Sequence, residues 1–444
     1  MQLFKQFKYL VRYILLDLVS TNSRIRELRR NQDLPSESFE EKQERLLRAT
    51  LISAKQRLPA YSHMIIPDSN IKQFISTSLP VITKADLLQQ REQFYPNLGK
   101  KKTLQIVGKT SGTTGTPLDI FRSLNSISWE NAFVKRHWLD IAHSVRRATL
   151  RGDQVAVSVE QEKFWFYNDV DKQLVLSSKH LTEETFPRYA AAITNYKPTI
   201  LQAYPSMAFQ LAKYCEAQQL NLQIPYVFTA SEMLYGYQRE LIERHLGQVC
   251  DFYGMAERVA MATECQFKNL HLNTDYSYVE ILDDNNQPTE EEGYIVGTTM
   301  HNEVMPLIRY KLSDRTKWKP GTCACGSHYP MIEPISGKFE DLVYDVEQKA
   351  ISPSLITFAF KGVLHIKQSQ VAQVAVDQWI VRIVPDVGFE KQDGLQIINN
   401  INQLVSEKIN VEIELVDDIP RTSAGKYRWV INEMSKKKVD LRND

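Results

Sequence analysis

The chain has 444 residues, with 54 Lys and Arg against 53 Asp and Glu and a formal net charge of +1. That balance gives no electrostatic reason to expect a nucleic-acid partner, and 43% hydrophobic residues over this length exclude a small scaffold that needs staples to fold. The 5 cysteines, at 215, 250, 265, 323 and 325, are odd in number and fit a reducing compartment rather than a disulfide framework, so a cytoplasmic location is expected.

The apolar run from Tyr9 to Val19 is interrupted by Arg12 and Asp17, too short and too charged for a bilayer span or a clean signal peptide. Together with Lys5, Lys8, Arg24, Arg26, Arg29 and Arg30 it reads as a basic amphipathic helix. Such a helix is expected to pack on the main domain, and peripheral contact with the cytoplasmic membrane face is the alternative. A second helical pattern runs from Ser38 to Leu58 and is closed by Pro59. Thr83 is placed to cap a third, with Asp86 at the capping-box position. Thr103 to Val107 reads as a strand, and Leu118 to Phe121 as another beyond a loop rich in glycine and threonine. A helix follows through Trp129 to Ile141.

Strand patterns at 154–159, 200–203, 226–230 and 249–253 alternate with helical patterns at 187–195, 207–216 and 235–246, which predicts a mostly parallel α/β sheet. From Tyr276 to Asp283 and Tyr294 to Thr299 the apolar runs shorten and turns multiply, so sheet without long crossovers is expected. Strands at Val371 to Val374 and Trp379 to Val384, then a helix at Ile397 to Glu407, predict a small C-terminal α+β domain over 339–444. The expected division is a helical N-terminal extension packed on the large domain (1–100), a large α/β domain (101–338) and that small domain.

The densest chemical signal is Ser111-Gly112-Thr113-Thr114-Gly115-Thr116-Pro117. Glycines permit close backbone approach, and consecutive amides and hydroxyls can surround phosphate oxygens. It is not a Walker A loop, because no Lys-Ser/Thr pair ends it, and composition alone leaves a tight surface turn equally open. Downstream stand Asp251-Phe252-Tyr253-Gly254-Met255-Ala256-Glu257, Tyr310-Lys311-Leu312-Ser313-Asp314-Arg315, Gly337-Lys338-Phe339-Glu340-Asp341 and Pro420-Arg421-Thr422-Ser423-Ala424-Gly425-Lys426.

In this order the segments resemble the adenylate-forming superfamily, specifically its phenylacetate–CoA ligase and CapK-like branch. The resemblance implies a multidomain adenylate-forming enzyme fold whose small, mobile C-terminal domain carries the catalytic lysine. It further implies that Ser111, Gly112, Thr113, Thr114 and Gly115 hold ATP phosphates, that Glu257 helps to bind Mg2+, that Tyr253 borders the adenine and acid sites, and that Asp314 binds ribose. Lys338 stands where an arginine is usual, and Leu118 where many members carry a basic residue. Lys426, Glu257 and Thr114 are the expected catalytic group. The implied reaction joins a small carboxylic acid to ATP, giving an acyl-adenylate and pyrophosphate. Coenzyme A is the expected acceptor, with a sugar amine or carrier in surface-polysaccharide synthesis as the alternative and a non-catalytic nucleotide-binding scaffold as a further one. A homodimer is compatible with the sequence.

Cys323-Ala324-Cys325 has compact metal-ligand spacing, with Cys265 and His271 as a second candidate pair; three thiolates and an imidazole complete a tetrahedral structural Zn2+ site. Some members of the branch look similar at these four positions. Cys215 and Cys250 lie in apolar segments and read as core. Tyr204, Ser231, Glu232, Tyr253 and Gly254 are the substrate-binding candidates, the first three because they follow predicted strands. Core packing for Tyr204 and helix capping for Glu232 stay open beside that reading.

Overall fold

The computed structural model describes residues 21–96, 105–109, 118–151, 163–336, 343–351, 353–360, 363, 365–420 and 429–434. Expectations on residues 1–20, the strand at 154–159, the loop Ser111 to Gly115, Lys338 with Glu340 and Asp341, and Lys426 therefore lie outside the described residues. In chain order the strands that frame the site are β1 (Gln105–Lys109), β2 (Asp119–Ser123), β3 (Arg147–Leu150), β4 (Trp165–Asn168), β5 (Gln173–Leu176), β6 (Ile200–Ala203), β7 (Tyr226–Ala230) and β8 (Gln248–Gly254). They continue as β9 (Met261–Glu264), β10 (Leu270–Leu272), β11 (Ser277–Leu282), β12 (Gly293–Thr299), β13 (Tyr310–Thr316), β14 (Trp318–Lys319) and β15 (Met331–Ile332). The chain divides into two compact units, one of residues 1–110, 118–145 and 250–338, the other of 111–117, 146–249 and 339–444.

In the first unit, helix Asn22–Gln32 buries Ile25 and Leu28 against Ala132 and Phe133 of helix Leu124–Ala142. Two of its basic residues meet protein, Arg24 over the Trp129 ring at 4.9 Å and Arg29 3.5 Å from Asp140. Over these residues the packed helix is what forms. The Thr83 capping box closes as predicted: the Thr83 hydroxyl accepts from the Asp86 amide at 3.3 Å, and the Asp86 carboxylate accepts from the Thr83 amide at 2.7 Å. β1 and β2 pair as an antiparallel hairpin ending at Lys109 opposite Asp119. β8, β9, β10, β15 and β14 follow one another as antiparallel neighbours, and β11, β12 and β13 form a separate antiparallel meander. The β11–β13 meander is the sheet without long crossovers expected from Tyr276 onward, and its side-chain alternation decides which residues face the site.

In the second unit, β7, β6, β3 and β5 run parallel and β4 closes the edge antiparallel. Helices Phe186–Tyr196, Pro205–Ala217 and Gly236–His245 supply the crossover layer, and Leu211, Cys215 and Ile242 join Leu201 and Val227 in one core. β3, β4 and β5, each of 4 residues, were not expected from the sequence. The remainder of this unit has β16 (Val343–Tyr344), β17 (Ala350–Ile351), β18 (Ile366–Ala375), β19 (Gln378–Pro385), β20 (Asn410–Leu415) and β21 (Val430–Asn432). The last four make one sheet in the order β20-β19-β18-β21. Its helix runs Lys391–Leu404 rather than from Ile397 to Glu407. The apolar pattern missed the polar first turn, which Glu390 and Asp393 fix as a capping box, with the Glu390 amide donating to Asp393 at 3.0 Å.

Candidate functional site

The first unit gathers Tyr253, Glu257 and Asp314 around one strand, β13. β13 alternates buried and less buried residues, so Tyr310, Leu312 and Asp314 share its inner face. The Tyr253 hydroxyl, at the end of β8, donates to Asp314 Oδ2 at 2.8 Å, and both side chains are buried. Burial, then the Asp314 charge, holds the Tyr253 phenol well above its ordinary range, so it stays a donor. The Tyr310 hydroxyl reaches Glu257 Oε1 at 3.4 Å. Glu257 stands in the turn from Met255 to Arg258, which is closed by the Arg258 amide on the Met255 carbonyl at 3.2 Å, with Arg258 at φ 60. Tyr253, Glu257 and Asp314 are thus brought together, with Gly254 between the first two.

Two cations of this site were not found by sequence reasoning. Lys84 opens the helix that Thr83 caps, and the preceding Ile82 is stitched to β13: its amide donates to the Arg309 carbonyl at 3.0 Å, and its carbonyl accepts from the Lys311 amide at 2.8 Å. Burial lowers the Lys84 ammonium to about 8, against the attraction of Glu257. Arg122, on β2, donates to the Ala256 carbonyl, one residue before Glu257. It crosses the hairpin over Gly108, where a Cβ would lie 2.3 Å from its Cζ. Burial first, then Arg258, lowers Arg122 to about 10. The usable sequence signal was Leu118, the missing basic residue, which asks for positive charge from elsewhere.

The metal candidates also converge. One ligand atom from each of Cys265, His271, Cys323 and Cys325 lies within 4.8 Å of the others. Cys265 Sγ is 3.6 Å from Cys323 Sγ, and Cys325 Sγ is 3.3 Å from His271 Nε2. His271 Nδ1 sits 2.9 Å from the Tyr329 carbonyl, which can only accept, so Nδ1 carries the proton and Nε2 turns its lone pair toward the sulfurs. Asn269 Nδ2 donates to Cys323 Sγ at 3.2 Å, which favours a thiolate. The donor set fits a closed tetrahedral Zn2+ site. Cys215 and Cys250 are buried in the core, as expected.

In the second unit Tyr204 and Ser231 are the first residues past β6 and β7, and Arg151 is the first past β3. The Arg151 guanidinium lies over the Tyr204 ring at 5.3 Å and donates to Ser231 Oγ at 3.3 Å. Glu232 instead accepts from the Ser206 amide at 2.9 Å and hydroxyl at 3.0 Å, holding the first turn of helix Pro205–Ala217. That is the local role weighed for it beside substrate contact.

The CapK C-terminal domain family matches residues 343–433. Protein CapK of Staphylococcus aureus is 23% identical over 368 residues, covering 80% of each chain. The phenylacetate-coenzyme A ligase of Pseudomonas putida is 26% identical over 349 residues, 74% of this chain and 70% of its own. Over most of its length this chain is similar to the CapK and phenylacetate–CoA ligase branch of the adenylate-forming superfamily. A 2-hydroxyisobutyryl-CoA ligase, solved with 2-HIB-AMP and CoA in the thioesterification state, shares the fold at a TM-score of 0.57 and 17% identity, covering 94% of both chains. The same ligase in its postadenylation state with 2-HIB-AMP superposes at a TM-score of 0.55 and 18% identity, again over 94% of both. A large α/β domain with a small α+β domain is the architecture of this branch and of this chain. Among the described residues no helix is long and apolar enough to cross a membrane.

Proposed function

We propose that this protein is an ATP-dependent ligase that activates a small carboxylic acid as its acyl-adenylate and then passes the acyl group to coenzyme A. A carboxylate oxygen attacks the α-phosphorus and the bond to the pyrophosphate oxygen breaks; the thiol sulfur then bonds to the acyl carbon, its proton is lost and AMP departs. The observation that carries this reading is the meeting of Tyr253, Glu257 and Asp314 around β13, because a nucleotide needs a ribose acceptor and a metal-phosphate carboxylate within one nucleotide's length. Asp314 accepts from the ribose hydroxyls beside Tyr253. Glu257 contributes to holding Mg2+, which when bound neutralises charge on the phosphates. Ser111 to Gly115, with Thr114 catalytic, cradle the polyphosphate, Lys338 meets the nucleotide, and Lys426 lies between the acid and the α-phosphate; family resemblance supports these assignments.

Lys84 and Arg122 supply the positive charge that Leu118 does not, the first toward phosphate and the second by holding the Glu257 turn. Cys265, His271, Cys323 and Cys325 bind a structural Zn2+ that ties the β9–β10 turn to the loop before β15. The likeness to phenylacetate-coenzyme A ligases supports the thioester completion. A second reading, transfer to a sugar amine or carrier in surface-polysaccharide synthesis, is favoured by the CapK match over 343–433, the region that also contains Lys426. The test is acid-dependent pyrophosphate and AMP release across a panel of acids, with coenzyme A and amino sugars as acceptors. Release that needs an acid and is abolished by Lys426→Ala supports the reading, whereas no release with any acid refutes it.

A further inference from the structure

We infer that Arg258, anchored by Ser126 and Glu130, is a positioning residue: it keeps the neighbouring Glu257 carboxylate placed for the nucleotide's Mg2+ and so sets how much the metal adds to nucleotide binding. This rests on the reading of Glu257 as a metal ligand and names what fixes that ligand.

The turn from Met255 to Arg258 closes with Arg258 at φ 60, in the left-handed region that glycine enters freely and an arginine only at a cost. What holds Arg258 there is its side chain. Nη1 donates to the Ser126 carbonyl at 3.1 Å and hydroxyl at 3.2 Å, and Nε lies 3.5 Å from Glu130 Oε2. Ser126 and Glu130 stand one turn apart on one face of helix Leu124–Ala142, so both anchors belong to a single rigid element. Glu130 is fixed in turn. The Tyr276 hydroxyl donates to the same Oε2 at 2.6 Å, and the Tyr276 ring meets Phe133 of that helix edge-on at 5.0 Å. Burial, then the Glu130 charge, holds the Tyr276 phenol well above its ordinary range, so it remains a donor. On the other side of Glu257, Arg122 ties the Ala256 carbonyl to β2. Glu257 is therefore bracketed by residues pinned to two different elements, all within the first unit.

A carboxylate placed before Mg2+ arrives loses less freedom on binding, and groups standing behind a metal ligand commonly carry about tenfold to a hundredfold of metal affinity. The ion pair also removes a competitor. A guanidinium one residue from Glu257 is suited to grip both carboxylate oxygens as a fork, and it would then occupy the oxygens that Mg2+ needs. Glu130 takes that charge instead, and Glu257 Oε1 meets the Tyr310 hydroxyl at 3.4 Å.

The test is calorimetric binding of α,β-methylene-ATP, whose α–β bridge cannot be cleaved, with Mg2+ and with EDTA. Wild type binds it more tightly with Mg2+. Arg258→Gly, which suits the turn but has no side chain, and Glu130→Gln, which frees the guanidinium, each lose about tenfold or more of that gain while affinity in EDTA holds. Arg258→Lys recovers part of it. Added to Glu257→Gln, Arg258→Gly costs nothing further, because it acts through that carboxylate. In acid-dependent pyrophosphate release the same two variants raise KM for free Mg2+ by about tenfold while KM for the acid holds. A metal-linked gain that neither substitution changes, losses equal in Mg2+ and EDTA, no gain in wild type, or a rise in KM for the acid alone overturns the inference. If no acid releases pyrophosphate from wild type, the ligase reading fails by itself, and the calorimetric comparison still decides the role of Arg258.

Discussion

Replacing Lys349 by methionine should stabilise the protein at neutral pH, and the gain should fade in alkali. Lys349 lies between β16 and β17, 2% exposed, and its Nζ has no hydrogen-bond partner among the described residues. It lines a small cavity with Ser178, Lys179, Tyr204 and Met207. Burial lowers its ammonium from 10.5 to about 8, with Asp345 and Glu347 opposing the shift and Lys179 adding to it. In the unfolded chain the lysine keeps its proton up to its ordinary value, so between pH 8 and 10.5 the unfolded state binds more protons and stability rises with pH. Below pH 8 both states are charged and the full penalty applies, ~3 kcal/mol for a drop of this size. Methionine matches the stem in length and carries no charge. Urea unfolding, followed through Trp379 and Trp429 of the same core, should show Lys349→Met more stable by up to ~3 kcal/mol at pH 7, with most of the difference gone by pH 10. A difference that does not change with pH, or a variant less stable at pH 7, would refute the claim that an uncompensated buried charge sits there. Subtracting one protein from the other cancels the titration of groups they share.

Asp314→Asn should erase preference for the ribose hydroxyls. Wild type should favour ATP over 2′,3′-dideoxy-ATP by about tenfold or more, from charge-assisted hydrogen bonds, and the variant should use the two within a few-fold of each other. An unchanged ratio in a folded variant would make Asp314 only the partner of Tyr253. For the cysteine cluster, reduced wild type dialysed against metal-free buffer should retain about one zinc per chain, as a closed four-ligand site does, and Cys325→Ser should lose it and melt at lower temperature. Wild type without stoichiometric zinc would end that assignment.

The capping box at Thr83 and the alternation of strand and helix from Ile200 to Tyr253 were legible because they are local: hydrogen bonds three residues apart and apolar periods appear in the order of the letters. Tyr253, Glu257 and Asp314, singled out through ordered resemblance, and the four metal candidates, singled out through spacing and resemblance, are each brought together by the fold. The first turn of helix Lys391–Leu404 was not legible, since a polar turn on an exposed face leaves no apolar signal. β3 to β5 were not expected from the sequence either, and so Arg151 at the end of β3 went unremarked.

The sequence by itself determined the residue chemistry and much of the succession of elements, because propensity, patterning and motif order act between near neighbours. Only the tertiary structure decided which distant side chains meet. Arg122 lies far along the chain from Ala256 and Arg151 far from Ser231, and they are joined because a hairpin crosses at Gly108 and because parallel strands end together at one edge. No local rule encodes such meetings; they follow from sheet register and from the demand that buried polar groups find partners.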